Sequence, residues 1–232
     1  MTARTIRVLD LFAGAGGLTA GFHTASSRFR SIAAVEMDPE AAASYRATFP
    51  ETDVYAGAIQ DWLAEETIPT GVDVVVGGPP CQGFSTLGKR DAEDARNRLW
   101  EQYAQVIQRA RPKYFVVENV PAFGKSPQYR DFLAATRPGE FLEDYSFDFR
   151  VLNAADYGAP QARRRAVLIG HRYDMDVPGF PEPTHSPDGG GDLPPYRTVR
   201  QTLLGVPAQP DMDERFDQLR TRVGSRYRRY DP

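Results

Sequence analysis

The chain of 232 residues holds one cysteine, Cys81, in the run GGPPCQGFS from Gly77 to Ser85. The residues before it, Val72-Asp73-Val74-Val75-Val76, have the length and β-branching of a buried strand. Gly-Gly-Pro-Pro can neither prolong that strand nor open an ordinary helix, so the chain must turn sharply there. The thiol is thereby placed at the carboxyl end of a strand, where open α/β sheets receive their ligands. Its neighbours offer almost nothing apolar to pack against, which favours a reactive sulfur over a small buried hydrophobe. A second chemical group comes from Glu118-Asn119-Val120, which follows the apolar strand pattern Lys113 to Val117 and should face the same cleft one strand over. A third is Gln161-Ala162-Arg163-Arg164-Arg165, just ahead of the strand Ala166 to Gly170. Strand alternation points Arg163 and Arg165 the same way and Arg164 outward.

A fourth group suits a nucleoside. The predicted first strand, Thr5 to Phe12, runs into Ala13-Gly14-Ala15-Gly16-Gly17, and a helix should open near Leu18. Such a turn brings backbone close to a ligand and aims helix N–H groups at it. The next strand pattern, Ser31 to Val35, ends at Glu36, roughly 20 residues past the glycines, where an acid can grip ribose hydroxyls. Gly-Lys-Ser/Thr is missing after the turn, so a triphosphate is not the expected ligand. Met37 would offer a soft apolar face to a purine.

Pro79-Pro80-Cys81-Gln82-Gly83-Phe84-Ser85 resembles the nucleophile loop of the DNA cytosine-5 methyltransferases. Asp10-Leu11-Phe12-Ala13-Gly14-Ala15-Gly16-Gly17 resembles that family's S-adenosylmethionine motif, Glu118-Asn119-Val120 its cytosine-binding glutamate motif, and Gln-x-Arg-x-Arg its arginine motif. The resemblance spans residues 6 to 170, with the motifs in their usual order. It implies a Rossmann-like S-adenosylmethionine-dependent methyltransferase fold and catalytic roles for Cys81, Glu118, Arg163 and Arg165. It also implies a pocket for S-adenosyl-L-methionine around Phe12, Gly14, Gly16, Gly17, Leu18, Glu36, Met37 and Pro79, and substrate contacts from Gln82, Ser85, Asn119 and Gln161. The family carries an acid just after the glycine corresponding to Gly57, to bind the adenine amino group. Here that position is Ala58, and Asp61 is the expected substitute.

The implied reaction is methylation of cytosine C5. A thiolate adding at C6 makes C5 enamine-like, dividing one hard step into two easier ones, and the base must first leave the duplex. The implied partners are DNA and a target-recognition region that complete family members carry beyond this point. The chain therefore reads as a catalytic subunit or fragment that needs a separate chain or missing segment, in a restriction-modification setting. A non-catalytic S-adenosylmethionine-binding module and an RNA cytosine-5 methyltransferase remain as alternatives.

The elements that must position these groups alternate between strand and helix, giving an α/β chain with a mostly parallel sheet and a C-terminal antiparallel strand, expected at Tyr145 to Asn153. Helices are expected at 39–49, 98–111 and 126–136, and a short one within 195–204. The polar run 86–97 is expected to be a lid beside the nucleophile. Residues 1–175 form the expected catalytic domain, and 176–232 a Pro/Gly-rich linker with a charged extension. A net charge of −3 argues against a large independent nucleic-acid surface. No apolar run approaches the ~20 residues of a membrane span, and one cysteine suits a reducing cytoplasm.

Overall fold

The computed structural model describes residues 4–65, 68–80 and 99–204. The predicted lid, the charged tail and three of the candidate site residues, Cys81, Gln82 and Ser85, lie outside the described residues. Among those described, strands β1 (Ile6–Leu11), β2 (Phe29–Glu36), β3 (Asp53–Ala56), β4 (Val74–Gly77), β5 (Tyr114–Asn119), β6 (Tyr145–Asn153) and β7 (Arg164–Arg172) form one sheet in the order β3-β2-β1-β4-β5-β7-β6. All neighbouring pairs from β3 to β5 are parallel, while β7 runs antiparallel to both β5 and β6. The edge strand predicted to be antiparallel is β6. The strand reversed against the rest of the sheet is its partner β7.

Among the described residues six α-helices connect or follow the strands: α1 (Gly17–Ala25), α2 (Pro39–Thr48), α3 (Ile59–Ala64), α4 (Leu99–Ala110), α5 (Pro127–Ala135) and α6 (Val199–Leu203). The Asp38 side chain accepts from the Ala41 N–H and caps α2, with proline in its first turn, and Ser126 does the same for α5 through the Tyr129 N–H. The sequence reading missed α3, six residues long and without a side-chain cap.

One face of the sheet is sealed. Leu9, Leu11, Val35, Val75, Phe115, Val117 and Leu168 point to it and pack against Trp62 of α3, Tyr103 and Ile107 of α4, and Phe132 of α5. On the other face α1 and α2 cover only part of the sheet, with Ala34 meeting Ala42 and Tyr45, and Val8, Val74 and Val76 meeting Leu18 and Phe22. The alternation of buried and half-buried residues along β5 follows from this asymmetry.

Residues 178–196 fold back on the sheet. The Thr184 and His185 N–H groups donate to the Asp156 carbonyl, the Tyr196 hydroxyl donates to the Asp156 carboxylate, and the Arg150 guanidinium lies 4.9 Å above the Phe180 ring.

Candidate active site

The strand order reverses direction between β1 and β4: the chain builds outward to β3 on one side, then outward to β5 on the other. A crevice opens at the carboxyl ends of strands at such a point. The described candidates of the sequence reading lie on loops, strand ends and first helical turns along that edge, those before β7 included because β7 is reversed and starts where the others finish.

On the β1 side the chain leaves the strand through Phe12 at φ +54°, Gly14 at +54° and Gly16 at +90°. Gly16 is required twice over, since its backbone is left-handed and a Cβ there would collide with the Phe49 ring and crowd Tyr45. Glu36 at the tip of β2 ties this turn down. One carboxylate oxygen accepts from the Gly14 N–H at 2.7 Å and the other from the Asp38 N–H at 2.7 Å. Gly17 opens α1, and Leu18 is half-buried against Val8, Val74 and Val76, so its side chain serves packing. Met37 is 72% exposed beside Glu36. Asp61 is exposed in the first turn of α3, whose N-terminal flank is Ala58.

On the β4 side, Gly77 lies so close to β1 that a Cβ would collide with the Leu11 carbonyl oxygen. The next residues, Gly78-Pro79-Pro80, line a crevice of about 170 Å³ with Glu118, Asn119, Val120, Arg163 and Arg165. Arg165 Nε lies 2.8 Å from Glu118 Oε1, and an Arg163 guanidinium nitrogen lies 3.8 Å from the same oxygen. A Cβ at Gly78 would stand 3.3 Å from both Glu118 Oε2 and the Glu118 carbonyl oxygen, a tight contact that shows how closely this backbone approaches the carboxylate.

Two candidates of the sequence reading are engaged in other contacts. Asn119 is 6% exposed. Its amide nitrogen donates to the Pro79 carbonyl at 2.9 Å and its amide oxygen accepts from the Val120 N–H at 2.8 Å. It lines the crevice, but its amide is spent on Pro79, two residues ahead of the cysteine, and on Val120, because the alternation of β5 turns residue 119 inward where Glu118 turns outward. Gln161 is exposed, and its carbonyl accepts from the Arg163 N–H. Its side chain does not line the crevice.

A polar network missed in the sequence lies beneath the glycine turn. Thr19 in α1 donates to Asp10 Oδ2 at 2.7 Å, and the Tyr45 hydroxyl lies 2.7 Å from Thr19 Oγ1 and 2.8 Å from Ser31 Oγ. With the Thr19 proton spent on Asp10, Tyr45 donates to Thr19 and Ser31 donates to Tyr45, so the chain of hydroxyls points at the carboxyl. Asp10 Oδ1 is buried without a hydrogen-bond partner among the described residues. Burial pushes the Asp10 carboxyl up to about 7 against the pull of the Thr19 hydrogen bond, with a smaller upward push from Glu36. The one signal in the sequence was an acid set between Leu9 and Leu11 in a strand.

A Rossmann-like sheet with a reversed seventh strand, a glycine turn under an acid and a carboxylate–arginine pair between β5 and β7 define a methyltransferase fold. A solved structure described as a DNA modification methyltransferase encoded within an E. coli prophage has the same fold, with a TM-score of 0.66 and 27% identity over 89% of this chain and 57% of that one. The model of the C-5 cytosine-specific DNA methylase family matches residues 6–220, and the chain belongs to that family. It is 42% identical to the type II methyltransferase M.XorII of Xanthomonas oryzae pv. oryzae over 80% of this chain and 46% of that protein. It is 35% identical to the type II methyltransferase M.AquIA of Picosynechococcus sp. over 87% of this chain and 89% of that protein. The chain thus spans about half of M.XorII but most of M.AquIA. No helix among the described residues is long and apolar enough to cross a membrane.

Proposed function

We propose that the chain is the catalytic part of a DNA cytosine-5 methyltransferase, acting on a cytosine turned out of the duplex, with S-adenosyl-L-methionine as methyl donor. The observation that carries this reading is the Glu118–Arg165 pair at 2.8 Å, packed against the Gly78–Pro80 backbone that leads directly into Cys81. In this reading the Cys81 thiol, next in sequence, would join that carboxylate at one pyrimidine, as attack at C6 and proton transfer at N3 require.

The residues of the β1 side fit the methyl donor. The left-handed glycine turn leaves backbone open to a nucleoside, and each Glu36 oxygen accepts only one N–H, so lone pairs remain for ribose hydroxyls. When bound, S-adenosylmethionine supplies an electrophilic methyl group to the activated base. Glu36, Phe12 and the glycine turn would hold its nucleoside, with Met37 over the purine and Pro79 at the boundary with the substrate crevice.

Cys81 would add to C6 as thiolate and leave when the C5 proton is lost. Glu118 would hydrogen-bond the exocyclic amine and deliver a proton to N3, draining charge from the ring as sulfur adds. Arg165, in contact with Glu118, would orient that carboxyl, and Arg163, more exposed, would anchor the nucleotide. Gln82 and Ser85 would contact the flipped nucleotide, while Asn119 would act through Pro79 as a positioning residue. Target recognition would come from the portion that longer relatives carry, which accords with the small negative charge of this chain. The proposed setting is a restriction-modification system in the cytoplasm, at the nucleoid.

The test is covalent trapping. The chain, co-expressed with the unmatched portion of M.XorII, is incubated with S-adenosylmethionine and duplex DNA containing 5-fluorocytosine. A denaturation-resistant adduct that disappears in Cys81→Ser supports the reading. No adduct on DNA, or one formed only on RNA, overturns it.

A further inference from the structure

Residues 154–163 connect β6 to β7 and deliver Arg163 to the crevice. The connection has little regular structure of its own. Ala154–Tyr157 is one short 3₁₀ turn, and residues 158–163 belong to no helix or strand. The Ala154 N–H donates to the Arg163 carbonyl at 2.9 Å and closes the connection at its base. Inside it, the described backbone bonds run from the Gly158 N–H to the Ala155 carbonyl, from Ala159 to Ala154 and from Arg163 to Gln161.

Segment 178–196 supplies what the connection lacks, and its bonds converge on Asp156, Tyr157 and Gly158. The Asp156 carbonyl accepts from the Thr184 N–H at 2.8 Å and the His185 N–H at 2.9 Å. The Asp156 carboxylate accepts from the Tyr196 hydroxyl and, at 3.3 Å, from the Asn153 amide. The Tyr157 hydroxyl donates to the Pro181 carbonyl at 3.0 Å. Gly158 has φ +86°, and a Cβ there would stand 2.7 Å from His185 Cε1, so the imidazole lies directly on the glycine backbone. The segment is itself closed, with the Ser186 N–H on the Pro194 carbonyl at 3.0 Å and the Tyr196 N–H on the Ser186 carbonyl at 2.9 Å. Tyr196 and His185 therefore reach the connection together.

This brace acts on one arginine of the crevice and not the other. Arg165 lies inside β7, where its pairing with Leu152 of β6 fixes the backbone. Arg163 precedes the strand, and its side chain is 48% exposed. Its 3.8 Å approach to Glu118 is too long for a hydrogen bond to hold it. We propose that Tyr196, through the Asp156 carboxylate, is a positioning residue for Arg163, so that segment 178–196 sets how the substrate nucleotide is anchored. The proposal rests on the functional reading above for the role of Arg163. A hydroxyl donating to a carboxylate makes a charge-assisted bond, roughly twice as strong as a neutral one, which suits it to hold a turn with few bonds inside.

The experiment takes the chain co-expressed with the unmatched portion of M.XorII and compares wild type, Tyr196→Phe, Asp156→Asn and Asp156→Ala. In Tyr196→Phe the KM for duplex DNA should rise about tenfold. Its kcat, S-adenosylmethionine affinity and melt should stay near wild type, because Arg165, Glu118 and the glycine turn do not depend on the brace. Asp156→Asn keeps an oxygen for the hydroxyl and should keep a KM near wild type, whereas Asp156→Ala should match Tyr196→Phe. Added to Arg163→Ala, Tyr196→Phe should cost nothing further, the mark of two residues acting as a unit. An unchanged KM, a kcat that falls as far as KM rises, or losses that add in the double variant overturn the proposal. Amide hydrogen exchange without DNA or cofactor gives a second arm: peptides over 154–163 should exchange faster in Tyr196→Phe while those over 166–172 keep their protection. Equal exchange over 154–163 overturns the proposal, and this arm decides alone if Asp156→Ala does not fold. It needs no methyl transfer, so a wild-type chain that methylates no DNA removes the functional reading without touching the brace.

Discussion

The two ends of the strands treat charge in opposite ways. At their amino ends Asp73 is saturated: it accepts from the Arg7 N–H at 3.0 Å, Lys113 at 2.9 Å and Arg4 at 3.0 Å. Those partners outweigh its burial and hold its carboxyl below the usual range. At the carboxyl ends Glu36 and Glu118 keep lone pairs facing the cleft, and Asp10 keeps beneath it an oxygen with no hydrogen-bond partner among the described residues. A charge that only holds the fold together can be fully paired. One that must meet a ligand has to be left partly unpaired, at a cost in stability that the rest of the fold absorbs.

The contrast breaks if removing a cleft carboxylate costs stability rather than chemistry. Glu118→Gln keeps shape and one acceptor but cannot pass a proton to N3. Methyl transfer, measured with labelled S-adenosylmethionine on duplex DNA, should fall about 10²–10⁴-fold, while cofactor affinity and the melt stay near wild type. A matching loss of thermal stability would move Glu118 to the structural class occupied by Asp73.

Asp10 sharpens the comparison through pH. Its folded value, about 7, lies above the unfolded carboxyl value. Between about pH 4 and 7 the folded state therefore holds a proton that the unfolded state has lost, and stability from this group falls as pH rises. The slope is at most ~1.4 kcal/mol per pH unit. Asp10→Asn should abolish that slope, so denaturant midpoints of the variant and wild type should converge at pH 4 and separate in the variant's favour at pH 8. Parallel curves would show that Asp10 is ionised in the folded state across that range and would remove the proton uptake argued from its burial.

Much of this site was readable because its chemistry is local. Gly16 and Gly77 are forced by close approach, Glu36 and Glu118 end apolar strands, and Arg163 and Arg165 share a strand parity. The sequence was mute where the partner is remote. Nothing near Asn119 in the chain announces that its amide reaches Pro79, and parity turned it inward only once β5 was fixed by its neighbours. Asp10, Thr19, Ser31 and Tyr45 come from four elements, so their network exists only after folding.

Asp73 gives the structural counterpart of the Glu118 test. Asp73→Ala leaves the Arg7 N–H and Lys113 without their acceptor and should cost ~2–3 kcal/mol in urea unfolding at pH 7, with kcat and KM for methyl transfer little changed. The loss should shrink in acid, because a lowered carboxyl contributes stability above its unfolded value and loses it as pH falls through the folded one.

The smallest effect is expected at Glu36, which belongs to both classes. Its oxygens hold the Gly14 and Asp38 N–H groups in the free protein, and in the proposed reading they also take ribose hydroxyls. Glu36→Ala should weaken S-adenosylmethionine by ~1–2 kcal/mol in calorimetry. Part of that loss would come from a loosened glycine turn. Glu36→Gln separates the two contributions, since its amide oxygen can still accept from one N–H while the charge and one acceptor are gone. Affinity restored to wild type in Glu36→Gln would make the residue a brace for Gly14, comparable to Asp73. Affinity as low as in alanine would place it among the carboxylates kept open for a ligand.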